Sequence, residues 1–181
     1  MILNSAVAST IANPIAITGA PGTLNLYGTG TLTLSADSSA TTIGDKINVI
    51  NGTLNVTGKI EATSNTTATS GTITGAGGTI GILNVNTGTV APGGTLNTGA
   101  VTLNAATNYS AAVLTTTTAA NLKTASAINL GGATLSLSGV AAGLAVNNTF
   151  TIIDNTSTVS GNIGGTFANQ PEGSSLSLIH I

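Results

Sequence analysis

Residues Gly88–Leu103 read GTVAPGGTLNTGAVTL, three short aliphatic strands with little between them except turn residues. In Ala91-Pro92-Gly93-Gly94, Pro holds the second position of a turn and Gly the third. That is the type II signature, because Pro presets φ and Gly takes the positive φ that follows without strain. Thr95-Leu96-Asn97 then opens a new strand. The same device stands earlier, where Ala20-Pro21-Gly22 leads into Thr23-Leu24-Asn25-Leu26. One turn-plus-strand unit used twice predicts a repeating scaffold, with Pro21, Gly22, Pro92, Gly93 and Gly94 as its structural turns.

Outward from this stretch the dominant word is Gly-Thr-aliphatic. It recurs at Gly22-Thr23-Leu24, Gly30-Thr31-Leu32, Gly52-Thr53-Leu54, Gly71-Thr72-Ile73, Gly78-Thr79-Ile80, Gly88-Thr89-Val90 and Gly94-Thr95-Leu96. Inside each unit apolar residues alternate with polar ones, the period of a strand with one buried face. The expected inward core is therefore Leu24, Leu26, Leu32, Leu34, Leu54, Val56, Leu96, Leu135 and Leu137, with Thr and Asn pointing out. Helical spacing is nearly absent, and Ala119–Ile128 reads as loop and strand. The glycines Gly30, Gly52, Gly71 and Gly94 are separated by 22, 19 and 23 residues, and Gly132 lies 38 further on. A period near 20 built of two or three strands matches one coil of a β-solenoid. A β-sandwich would also show many short strands. The very small turns, the internal repetition and the scarcity of aromatic residues favour the solenoid. The recurring Leu-Asn and Ile-Asn pairs (Asn25, Asn48, Asn55, Asn84, Asn97, Asn104, Asn129) are candidates for outward amide ladders between coils.

Composition excludes several classes. Charged residues are 4% of the 181, against roughly 25% in an ordinary soluble domain. Even so, no apolar run approaches the roughly 20 residues of a spanning helix, so no membrane insertion by this segment is expected. Three Lys, no Arg and a net charge of −2 provide no basic patch, so nucleic acid is not an expected partner. Zero Cys rules out disulfides and thiolate metal sites. The first residues lack the basic and apolar regions of a secretion signal. Export would require a longer precursor.

Several blocks together resemble the autotransporter-associated β-strand repeat of bacterial surface proteins. They are Gly28-Thr29-Gly30-Thr31-Leu32-Thr33-Leu34-Ser35, then Thr41-Thr42-Ile43, then Asn51-Gly52-Thr53-Leu54-Asn55-Val56. The second half resembles the end of such passenger regions. There Val90–Leu96 is followed by Ile128–Leu137, by Phe150-Thr151-Ile152-Ile153-Asp154, and by Gly165-Thr166-Phe167-Ala168-Asn169-Gln170-Pro171-Glu172-Gly173-Ser174. Pro171 and Gly173 are taken as further structural turns. The resemblance spans roughly residues 15–178. It implies an all-β, right-handed parallel β-helix (β-solenoid), truncated at both ends and displayed at a bacterial cell surface or secreted through a longer precursor. The expected organisation is one array over residues 1–181, with β-strand repeats over 1–88 and passenger C-terminal-type repeats over 89–178. Ala36–Lys46 departs from the family pattern, replacing an aromatic residue and a Gly-Gly pair. The family has no common catalytic residues, so the resemblance supplies none.

The residues that could carry chemistry are dispersed. Gly75-Ala76-Gly77-Gly78-Thr79-Ile80 begins like a dinucleotide fingerprint but has Ile at the third glycine and no helix pattern after it. Gly58-Lys59 lacks the first glycine and the final hydroxyl of a phosphate loop. His180, the single imidazole, lies in the terminal tail, and a Ser–His–Asp arrangement for nucleophilic catalysis would have to recruit it from there. Asp154 and Glu172, the acids of the last hundred residues, read as turn residues rather than an acid–base pair. Asp37 and Asp45 are too few for a calcium cage. Asn-x-Ser/Thr triplets at Asn51, Asn55, Asn65, Asn108, Asn147 and Asn155 follow from the abundance of Asn and Thr.

No catalytic, cofactor-binding or metal-ligating set is expected, and no cofactor. The expected role is a non-catalytic structural or adhesive passenger segment. Its expected partners are neighbouring coils of the precursor, host or surface glycans or proteins, and other copies of itself. The alternative is a glycan-binding or glycan-active β-helix, for which Tyr27 and Tyr109 make a thin stacking platform. An ice-binding solenoid ranks below both. It needs a flat Thr array in register on many coils, and Thr31/Thr33 with Thr72/Thr74 are only two copies.

Overall fold

The computed structural model describes residues 2–4, 6–15, 23–37, 46–60, 65–139, 142–145, 147–159 and 162–171. Among them there are nineteen strands and no helix. The first coil holds β1 (Ile2–Asn4) and β2 (Ser9–Ile11), the second β3 (Thr23–Tyr27) and β4 (Thr31–Leu34), and the third β5 (Lys46–Val49) and β6 (Thr53–Val56). A third strand joins from the fourth coil on: β7 (Asn65–Ala68), β8 (Thr72–Thr74) and β9 (Thr79–Ile80). The fifth contains β10 (Ile82–Val85), β11 (Thr89–Val90) and β12 (Thr95–Thr98). The sixth contains β13 (Val101–Leu103), β14 (Asn108–Ala112) and β15 (Asn121–Thr124). The seventh contains β16 (Ile128–Asn129), β17 (Thr134–Ser138) and β18 (Ile153–Asn155), and β19 (Ile163–Gly164) opens an eighth.

Strands of successive coils stack into three parallel sheets. The first face runs β1-β3-β5-β7-β10-β13-β16-β19, the second β2-β4-β6-β8-β11-β14-β17, and the third β9-β12-β15-β18. Single parallel bridges from Asp37 to Lys59 and from Lys59 to Thr79 carry the third face back into the second and third coils. The chain is a three-faced parallel β-helix.

Period-two alternation produces the core. On the first face Leu24, Ile47, Thr66, Leu83, Val101 and Ile128 follow one another in register, all pointing inward. On the second face the inward column is Leu32, Leu54, Ile73, Val90, Tyr109 and Leu135. On the third, Leu96 and Leu122 are in register and fully buried. Each fully buried aliphatic side chain contributes roughly 1.5–3 kcal/mol relative to exposure. Stacking like upon like lets a chain with two Phe, two Tyr and no Trp build most of its core from aliphatic side chains, with Tyr109 and Phe167 as the buried rings among the described residues. Leu24, Leu26, Leu32, Leu34, Leu54, Val56, Leu96 and Leu135 are buried, and Leu137 is half-buried against the same core.

The corner between the first and second faces explains the glycines. Gly52 has φ of 74°, and a Cβ there would stand 2.7 Å from the carbonyl oxygens of Gly28 and Gly30. At Gly88 a Cβ would collide with the Gly71 carbonyl oxygen. Gly30, Gly52, Gly71 and Gly88 thus form the column at which one coil's backbone passes directly over the next. Gly88, not Gly94, continues that column after Gly71. Gly94 lies at the next corner, where its carbonyl accepts from Asn121 N at 3.0 Å. The similar words at Gly78 and Gly94 precede third-face strands, so one tripeptide word serves different corners.

The turn expected at Ala91–Gly94 is not type II, because Gly93 does not have a left-handed φ. Pro92 is buried, and Gly93 N donates to Gly75 O at 2.9 Å. The segment stays extended enough to remain in the intercoil ladder, and the ladder bond outweighs the local turn preference. Pro21, Gly22 and Gly173 lie outside the described residues, while Pro171 follows the Phe167–Gln170 bridge.

Candidate functional site

Because inward and outward positions alternate, the buried columns dictate what each face presents. On the second face the tripeptides Thr31-Leu32-Thr33, Thr53-Leu54-Asn55, Thr72-Ile73-Thr74, Thr89-Val90-Ala91, Asn108-Tyr109-Ser110 and Thr134-Leu135-Ser136 lie one over another, middle residue inward. The first outward column is therefore Thr31, Thr53, Thr72, Thr89, Asn108 and Thr134. Thr10 extends the second column by pairing with Thr33. Asn55 Nδ2 donates to Thr33 Oγ1 at 3.2 Å, and Ser136 Oγ to Asn108 Oδ1 at 2.9 Å. The hydroxyls of Thr31, Thr53, Thr72, Thr89 and Thr134 bond to no other group among the described residues. They face solvent, and Thr53, Thr72 and Thr89 each stand between paired neighbours on the coils above and below.

The first face is different. Its outward column includes Asn25, Asn48, Thr67, Asn84, Thr102 and Asn129. Asn48 Nδ2 donates to Asn25 Oδ1 at 2.8 Å, which spends amide capacity on the stack itself. Asn104 Nδ2 makes the same bond to Asn86 Oδ1, also at 2.8 Å, beyond the ends of β13 and β10. Of the seven Asn expected in ladders, Asn55 bonds a Thr, and Asn97 Nδ2 reaches the Gly78 carbonyl at 3.2 Å. Asn129 Oδ1 instead accepts from Gly131 N at 3.0 Å.

Charge gathers on the third face. Asp37 and Lys59 are bridged there, and Lys123 Nζ sits 2.8 Å from Asp154 Oδ2. Asp154 belongs to β18 in register with Lys123, so the expected turn position is corrected to a strand. Lys46 is the remaining described charge, at the start of β5 on the first face. Asp45, Glu172 and His180 lie outside the described residues. Gly58 with Lys59, and Gly75 with Gly77 and Gly78, occupy corners and bridges of the coil.

Tyr109 is the residue that sequence reading misplaced. It is fully buried, with its ring centroid 5.7 Å from that of Phe167. Its hydroxyl donates to Ile152 O at 2.5 Å and accepts from Leu122 N at 3.2 Å. Burial raises its pKa well above the ordinary tyrosine value, only partly offset by the Leu122 N–H bond. A stacking platform for sugars therefore loses one of its two rings, and Tyr27 stands half-buried at the end of β3. The signal that could have found this was position: Tyr109 occupies the aliphatic slot of an alternating strand.

Comparison of the chain with protein-family models, with curated proteins and with solved structures returned no match. The fold defines a class, the parallel β-helix, and the outward threonine and asparagine columns are its candidate contact surface.

Proposed function

We propose that this chain is a non-catalytic structural and adhesive segment of a longer bacterial surface protein, a passenger of the autotransporter kind. The observation that carries the reading is the pair of long parallel ladders. The first face is hydrogen-bonded continuously from β1 to β19 and the second from β2 to β17. Such a stack extends along one axis by adding coils, each contacting mainly its neighbours. Its outward Thr and Asn columns repeat the same group at the same spacing. Weak contacts then act together, the arithmetic of multivalency rather than of a single pocket. The family resemblance supports export and display. A glycan-active reading draws less support, since Asp154 is tied to Lys123 and Tyr109 is in the core.

The test is display. Fused between a signal peptide and a translocator barrel, the chain should reach the outer surface and become accessible to added protease and antibody. Cells carrying it should adhere to hydrophilic surfaces more than cells displaying the barrel alone. Retention inside the cell would refute the passenger reading. Surface exposure with unchanged adhesion would refute the adhesive part.

A further inference from the structure

Resting on the scaffold reading above, we infer that the second face is an ice-binding surface. It presents an outward pair on six consecutive coils, from Thr31/Thr33 to Thr134/Ser136. Strand geometry sets the rows ~4.8 Å apart and the two columns ~6.7 Å apart, because alternate residues of a strand point the same way. This is a two-dimensional lattice of small hydroxyl-bearing groups, with Asn55, Ala91 and Asn108 as its variations.

Four properties point to frozen water as the occupant. The hydroxyls of Thr31, Thr53, Thr72, Thr89 and Thr134 are not consumed by bonds within the described residues, unlike the zipped amides Asn25 and Asn48. They are also ordered, because a β-branched side chain on a strand has a restricted χ1, and Thr53 and Thr72 are in addition packed between like neighbours. The face is electrically neutral among the described residues, whose charges lie on the third face or at Lys46. A charge would orient surrounding water radially and disturb a lattice, whereas Oγ–H beside a methyl group can join one. Lastly, aromatic rings are missing from the face, since Tyr109 turns into the core and Tyr27 lies on the first face. Stacking on crystalline sugar uses such rings, and a neutral surface of hydrogen-bond donors and acceptors does not.

The experiment is partition into a slowly growing ice front, with thermal hysteresis read in parallel. The full chain should be enriched in the ice fraction over a co-frozen inert protein and should produce a measurable freezing–melting gap. Thr72→Tyr, at the centre of the lattice, should abolish both. Thr102→Tyr, outward on the first face, should retain both. Far-UV circular dichroism of all three proteins verifies the β-helix, so misfolding is seen directly. If Thr72→Tyr fails to fold, Thr53→Lys replaces it with the same expected loss. A folded chain excluded from ice overturns the inference while leaving the scaffold reading to its own display test. Equal loss in the folded Thr72 and Thr102 variants also overturns it, since binding would not belong to this face. Retention on crystalline cellulose or chitin together with exclusion from ice would assign the face to a polysaccharide and refute the inference.

Discussion

Thr66 interrupts an otherwise aliphatic column. It lies between Ile47 and Leu83, in line with Leu24, Val101 and Ile128. It is fully buried, and its Oγ1 has no hydrogen-bond partner. A hydroxyl removed from water without a replacement bond costs roughly 1–3 kcal/mol. Thr66→Val replaces it with a methyl group of similar size. Both residues are β-branched, so strand preference and rotamer restriction are kept. The expected gain is therefore about 1–2 kcal/mol, less than the full penalty because packing around the new methyl will not be ideal. For a chain of this size that corresponds to a thermal midpoint raised by ~2–8 °C. Thermal and urea melts followed by far-UV circular dichroism would measure it. Thr72→Val, outward on the second face, serves as the control and should move stability by no more than ~0.5 kcal/mol. A Thr66→Val protein equal to or weaker than the parent would refute the reasoning, because it would mean that the hydroxyl is satisfied in solution.

Three further outcomes follow from the same geometry. Leu96→Asp places an unpaired carboxylate in the core and should cost several kcal/mol, whereas Thr95→Asp on the exposed outer side should cost about 0.5 kcal/mol or less; equal urea midpoints for the two would contradict the buried strand. Asp154→Ala breaks an ion pair whose side chains are 46% and 37% exposed, so thermal melts should register no more than ~1 kcal/mol. Tyr109 keeps its proton in the folded state at a pH where the unfolded chain loses it. Stability tied to it is fully present below the ordinary tyrosine pKa of about 10 and falls as pH rises above that value. Urea midpoints taken across alkaline pH should decline more steeply for the parent than for Tyr109→Phe, and parallel declines would count against the buried hydroxyl.

Alternation was readable from single strands because it depends only on neighbours in the chain. Leu24 and Leu26, or Leu54 and Val56, show their inward direction without any knowledge of the other coils. Register between coils is a different matter. Gly30, Gly52, Gly71 and Gly88 form one corner, yet the same Gly-Thr word stands at Gly94 at another, and spacing alone selected the wrong continuation. Coil lengths vary too: Leu54 stacks on Ile73, Ile73 on Val90, and Tyr109 on Leu135. A fixed period could not locate these pairs. The threonine lattice was hidden for the same reason, since Thr53 and Thr89 become neighbours of the visible Thr-x-Thr pairs, and Thr134 joins their column, only when coils are superposed. At Pro92-Gly93, local turn chemistry was outweighed by the Gly93–Gly75 ladder bond. Asp154 became a strand residue through its pairing opposite Lys123, a long-range contact with no local signature.

The unequal coils carry a geometric consequence. Strand pairing sets the advance along the axis at ~4.8 Å per coil, whatever number of residues the coil contains. The longer coils place their surplus sideways. In one, Leu114 N and Thr115 N donate to Thr118 O to close a small exposed hairpin between β14 and β15. The connection between β17 and β18, of which residues 139, 142–145 and 147–152 are described, is longer still. The height of the column thus counts turns rather than amino acids, and additional sequence alters girth without lengthening the rod. Peptide grafted at Thr115–Thr118 would project from the shaft while the ladders above and below it keep their pitch.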